Sequence, residues 1–116
     1  MGHSGRKGCS KIPREEQFQG NKWELLSASA FPFNENSDCP KEMTLEDMQL
    51  VKNQFVQAVK NANEAGFDMI ELQAHHGFLL ATFLSPLTNI RSDEFGGSVE
   101  NRLKYPLEVF TAIRKV

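Results

Sequence analysis

Residues 68–78 read Asp68-Met69-Ile70-Glu71-Leu72-Gln73-Ala74-His75-His76-Gly77-Phe78, an apolar run that passes directly into an amide, two imidazoles and a glycine. A side-chain amide and an imidazole both offer N–H donors. In parallel α/β architectures ligands lie beyond the carboxyl ends of the strands, where backbone groups and side chains converge. Gln73 and His76 in that position would form the wall of an active site. The adjacent imidazoles of His75 and His76, with Glu71 or His3, raise a metal centre as a second chemistry. Neighbours in an extended segment point to opposite faces, and no third ligand stands at a short matched spacing. No metal is therefore expected, and His75 reads as a surface or interface side chain.

The elements that must position these residues are legible around them. Thr44-Leu45-Glu46-Asp47 has the form of a capping box, in which Thr44 and Asp47 each satisfy a backbone N–H of the other. A helix is predicted over residues 44–65, with Met48, Val51, Phe55, Val59 and Ala62 on one face. Lys52, Gln57, Lys60 and Asn63 would face water, and Gly66 would end the helix in a left-handed turn. Residues 67–72 then read as a parallel strand buried on both faces. A short helix follows over 77–84, closed by Ser85-Pro86. A last helix spans 98–115, capped by Ser98, with Glu100 in its first turn and Leu103, Leu107, Phe110 and Ile113 as its apolar stripe. Pro106 should impose a kink or a 3₁₀ start. Residues 1–43 are rich in Gly, Pro, Asn, Ser and Lys and read mostly as loop.

With 116 residues, 40% hydrophobic, and a net charge of −2, the composition is that of one small domain or part of a larger one. It points to no nucleic-acid or membrane-surface partner. Arg6, Lys7, Lys11 and Arg14 read as a solvated loop, since no aromatics interleave them. Cys9 and Cys39 stand in no metal-type spacing and suit reduced thiols in a cytoplasmic setting. No signal peptide is visible, and no apolar run approaches the ~20 residues of a bilayer span.

From Glu71 to Arg102 the chain resembles the Old Yellow Enzyme type of FMN-dependent oxidoreductase. That signature runs acidic-aliphatic-His-x-x-[His or Asn]-Gly-Tyr, then Phe-Leu-Ser-Pro-x-x-Asn-x-Arg-x-Asp-Glu-[Tyr or Phe]-Gly-Gly-Ser-x-Glu-Asn-Arg. Here the second part is Phe83-Leu84-Ser85-Pro86-Leu87-Thr88-Asn89, Arg91-Ser92-Asp93-Glu94-Phe95-Gly96-Gly97-Ser98 and Glu100-Asn101-Arg102. His3-Ser4-Gly5-Arg6 is similar to the family's His-x-Gly-Arg segment at the end of the third barrel strand. Residues 23–33 resemble the loop across the barrel mouth, in a form similar to the reductase domain of anthraniloyl-CoA and salicylyl-CoA monooxygenases.

The resemblance implies an α/β fold, a fragment of a (β/α)₈ TIM barrel, with residues 1–116 as a partial flavin oxidoreductase domain. Such a barrel takes about 250 residues to close, so FMN-holding and phosphate-binding segments would lie outside this chain. It implies FMN as cofactor, NAD(P)H as reductant, and a small-molecule substrate, a carbonyl-conjugated alkene or an aromatic acyl-CoA-type compound. Gln73 and His76 would be the pair near the flavin that donates hydrogen bonds to the substrate carbonyl oxygen, with Phe78 beside the substrate. Gln73 replaces the usual His but keeps N–H donors. Phe78 replaces a Tyr that supplies a proton, and phenylalanine has none to give. The loop 91–98 is expected to be structural, with Asp93, Glu94 and Glu100 as partners for Arg91 and Arg102. Two other readings stay open: a non-catalytic barrel fragment acting as a subunit or interaction module, joined to the remaining barrel segments or to a second copy, and a self-contained small helical domain.

Overall fold

Thr44 holds an extended backbone and accepts from the Asp47 N–H, while the Asp47 carboxylate accepts from the Thr44 N–H at 2.9 Å. This reciprocal cap starts α1, Leu45–Glu64. Bonds from Thr44 and from Lys41 hold the Asp47 carboxyl below its ordinary range. At the other end, Gly66 at φ 82° sends its N–H to the Asn63 carbonyl, and Phe67 sends its own to that of Ala62. This is a Schellman stop, for which only the Gly66 position needs a left-handed residue. The computed structural model describes residues 1–7 and 23–116; Cys9, Lys11 and Arg14 lie outside the described residues.

The remaining elements are a 3₁₀ turn at Gly5–Lys7, β1 (Leu26–Ser27), β2 (Lys41–Glu42), α2 (Leu79–Leu84) and α3 (Val99–Ile113). The strands pair in parallel, Leu26 with Lys41 and Ser27 with Glu42. Three helices and the β1 segment enclose one core. Met48, Val51 and Phe55 of α1 and Leu79, Leu80 and Phe83 of α2 pack from two sides toward Tyr105 and Val109 of α3, with Ala28 and Met43 closing the strand side. The Phe83 and Tyr105 rings are tilted at 4.6 Å between centroids. The Tyr105 hydroxyl donates to the Met48 carbonyl at 3.0 Å, and its burial pushes the phenol well above the usual range.

Expectations are corrected at four places. Residues 67–72 form no strand: Phe67 is 67% and Met69 85% exposed. A ladder needs a neighbouring strand, and here the segment meets Met1, whose ammonium donates to the Glu71 carbonyl at 2.5 Å and whose carbonyl accepts from the Gln73 N–H at 2.7 Å. The apolar stripe of α3 is also different. Its buried face is Tyr105, Pro106 and Val109, while Leu107 and Phe110 are exposed, because the bulk of Tyr105 fills the space between α1 and α2. At Pro106, the 3₁₀ start that was one of two alternatives is not formed: α3 is α-helical from Val99 on through the proline, and the Ser98 hydroxyl accepts from the Asn101 N–H and sets the α register before the proline is reached. Lys52, expected to face water, pairs with Glu108 of α3 at 3.0 Å.

Candidate active site

Two irregular segments flank α2, and their chemistry is opposite. In the first, the Arg91 guanidinium donates to the carbonyls of Ala28 and Met43, both at 2.9 Å, and grips Asp93 through two nitrogens. Only 6% of its side chain is exposed. The Asn89 amide donates to the carbonyls of Phe83 and Phe95, and its oxygen accepts from the Arg91 N–H. Gly96 is required by space: a Cβ there would lie 2.1 Å from the Arg91 carbonyl oxygen. Arg102 donates to the carbonyls of Leu84 and Gly97, and Glu94 pairs with Lys104. Every donor of Arg91 and Asn89 is directed inward, so this loop is structure.

The second segment, residues 73–78, is open. Gln73 is half-buried and His76 exposed. Neither side chain makes a hydrogen bond among the described residues. The Gln73 side chain lies against Gly2, where a Cβ would stand 3.1 Å from its Oε1. His76 adopts φ 56° and is followed by Gly77 at φ 73°, a left-handed pair that turns the chain sharply into α2. The His75 and His76 rings meet edge to face at 4.1 Å between centroids, so the extended backbone that would have parted them is not present. No group of three metal-ligating side chains occurs among the described residues.

The surroundings of this turn are built by segments distant in sequence. Gly5 at φ 59° brings its turn against the backbone of Leu79, whose N–H donates to the His3 carbonyl. The His3 Nδ1 accepts from the Gly5 N–H at 3.0 Å, and burial lowers the pKa of this imidazole. Arg6 is buried, donates to the carbonyls of Phe31 and Pro32, and lies over the Phe31 and Phe33 rings at 5.7 and 5.5 Å. Its Nε is buried without a partner. The Lys7 ammonium donates to the His76 carbonyl at 2.9 Å and sits 4.9 and 5.0 Å from the centroids of Phe33 and Phe78. Arg6 and Lys7, read from sequence as solvated loop, are thus cation–aromatic contacts. Phe33, which sequence reasoning passed over as a member of a loop, forms the shared ring face. The aromatics they needed stand about twenty-five and seventy residues away in the chain, as Phe31, Phe33 and Phe78.

The chain can now be set beside known proteins. Residues 6–116 match the NADH:flavin oxidoreductase / NADH oxidase family. Over 116 residues, all of this chain, it is 45% identical to an NADPH dehydrogenase of Geobacillus thermodenitrificans (strain NG80-2), covering 31% of that protein. An NADH:flavin oxidoreductase of Gibberella zeae is 53% identical over 75 residues, 65% of this chain and 18% of the other. Among solved structures, Old Yellow Enzyme from Pichia sp. AKU4542 superposes with a TM-score of 0.76 at 38% identity, over 79% of this chain and 26% of that one. Morphinone reductase superposes with a TM-score of 0.75 at 29% identity, over 84% and 30%. These neighbours are (β/α)₈ barrels, and the chain has the α/β fold of a portion of one. It spans about a third of the length of the curated relatives it matches.

Proposed function

The chain belongs to the NADH:flavin oxidoreductase / NADH oxidase family, and from that premise we propose that it carries the substrate-facing wall of an FMN-dependent NAD(P)H oxidoreductase of the Old Yellow Enzyme type. The observation that carries this reading is the state of Gln73 and His76, three residues apart on the segment that leads into α2. Both carry side-chain N–H donors with no hydrogen-bond partner among the described residues, while the neighbouring loop has its donors bonded. Donors held ready in this way stabilise an oxygen as it gains negative charge. Gln73 and His76 bind the carbonyl oxygen of a conjugated alkene or an aromatic acyl-CoA-type substrate and draw electron density from its double bond.

Of what a flavin ring needs, the residues present offer polar groups for its edge, the Gln73 amide and the His76 imidazole; the Phe33 and Phe78 rings are taken up by Lys7. FMN, when bound, supplies the hydride to the substrate. Phe78 orients the substrate by contact alone, having no proton to transfer, so the proton of the reduction comes from solvent or from a group elsewhere in the protein.

The test is a chimera in which this chain replaces the matching segment of the Geobacillus thermodenitrificans NADPH dehydrogenase. Reduction of a conjugated enone by NADPH should persist, and His76→Ala should lower kcat about 10²-fold, as removal of one oxyanion donor does. Unchanged turnover in both His76→Ala and Gln73→Ala would sink the reading.

A second reading, a non-catalytic subunit, has one observation in its favour. A groove of about 360 Å³ lined by Phe67, Met69, Leu72, Phe110, Ile113 and Val116 leaves apolar surface in the open. Size-exclusion chromatography discriminates, because a partner-dependent subunit would run as an assembly and a monodisperse monomer would count against it.

A further inference from the structure

We propose that Lys7 is the positioning residue of His76: its ammonium selects the left-handed turn from which the imidazole projects. His76 is the one non-glycine residue with positive φ among the described residues. For an L-residue with a Cβ this conformation is disfavoured, so something must select it. The Gln73 N–H to Met1 carbonyl bond fixes the chain three residues earlier, and the Leu79 N–H to His3 carbonyl bond fixes it three residues later. Between them, the Phe78 N–H to His75 carbonyl bond at 3.2 Å closes the turn, and the side-chain hydrogen bond that reaches it is that from Lys7 Nζ to the His76 carbonyl, at 2.9 Å.

The surroundings of Lys7 suit a pin. Its own N–H donates to the Ser4 carbonyl within the 3₁₀ turn, and that turn is pressed on the Leu79 backbone at Gly5. The root of the side chain is therefore anchored to the same helix start that the His76–Gly77 turn leads into. Its stem runs along Gly77, where a Cβ would stand 3.6 Å from the Lys7 Cδ. A cation over aromatic faces is attracted by the ring quadrupoles, and here the Phe33 and Phe78 rings lie at 4.9 and 5.0 Å. One N–H goes to the carbonyl while the ammonium lies beside both rings, so Lys7 acts as a clamp on the backbone. Phe78, which offers no hydroxyl, serves as one jaw of that clamp.

The meaning of this clamp for catalysis rests on the donor role proposed for His76; the conformational claim does not. The experiment is NMR on the complete 116-residue chain. In the wild type, His76 should give the strong intraresidue amide–Hα cross-peak of a positive φ, and the Lys7 ε-methylene protons should lie upfield of random-coil lysine under the two ring currents. Lys7→Met should reduce the left-handed population about tenfold, equivalent to about 1.4 kcal/mol, with the cross-peak lost, and Lys7→Arg should restore it. A folded Lys7→Met chain that keeps the cross-peak overturns the proposal. Should that variant not fold, random-coil ε-methylene shifts in the wild type overturn it equally. In the chimera, Lys7→Met should lower kcat with KM little changed. If His76→Ala is without effect there, the donor reading fails while the conformational result stands by itself.

Discussion

The segments on either side of α2 have similar compositions and opposite fates. Residues 89–98 and residues 73–78 both combine glycine with polar or charged side chains and carry little regular structure. In the first, an arginine and an asparagine are nearly sealed from water and tie five backbone groups and a carboxylate together. In the second, an amide and an imidazole stand with their donors uncommitted, on a backbone held in a disfavoured conformation. Polar residues in a glycine-rich segment therefore do not by themselves announce a site. What sets the two apart is whether their side-chain donors are bonded within the fold or open to water, and strain is retained where surrounding contacts over-determine it.

The largest effect should come from breaking the saturated side. Arg91→Ala leaves the carbonyls of Ala28 and Met43 without their donor and Asp93 without its cation. Each buried group so orphaned costs about 1–3 kcal/mol, and the urea midpoint should fall by the equivalent of about 3 kcal/mol in total. A loss below about 1 kcal/mol would mean that the loop is not the scaffold argued above.

The next effect separates the two regions by pH. Hydrogen bonding from Arg91, and then the Phe95 N–H, depresses the Asp93 pKa. Its stabilising contribution is complete above the unfolded value of about 3.9 and is lost as pH falls through the folded value. The carboxylate is partly exposed, so this acid limb is shallow. His3 works in another window. Burial lowers its pKa, so the unfolded chain binds the proton more readily, and stability is complete above about 6.5 and declines as pH falls from there to the folded value. Protonation would also remove the acceptor that Nδ1 offers to the Gly5 N–H. Thermal midpoints measured from pH 8 to pH 3 should show two declines, the upper abolished by His3→Gln and the lower made smaller by Asp93→Asn, with Asp47, also held below its ordinary range, carrying part of what remains. A single decline that ignores His3→Gln would show that the His3 turn is not coupled to folding.

How much of this was readable in the sequence follows the range of the forces. The capping box at Thr44 and Asp47, the stop at Gly66 and the cap at Ser98 involve groups within five residues of one another, and local chemistry decides them. Residues 67–72 failed as a strand because pairing is a property of two segments. The α3 stripe failed because apolar spacing says which residues share a face and not which face the neighbours cover; Tyr105, with a hydroxyl that finds the Met48 carbonyl, took the place assigned to Leu107. Arg6 and Lys7 looked solvated because the rings they lie over are brought in from elsewhere in the chain.

The smallest effect is the sharpest test, because its sign differs from that of Arg91→Ala. At φ 56°, His76 bears a backbone cost that glycine does not. His76→Gly removes that cost, and the greater freedom of glycine in the unfolded chain offsets part of the gain. The glycine variant should therefore be at least as stable as the wild type and more stable than His76→Ala by about 1 kcal/mol, since alanine keeps the Cβ and loses the ring. Both variants remove the imidazole, so both should lose turnover in the chimera alike. Equal urea midpoints for the two would mean that the turn relaxes once the imidazole is gone, and that the strain belongs to the side chain and not to the fold. A stability gain joined to a loss of turnover is what distinguishes a residue kept for chemistry from one kept for packing.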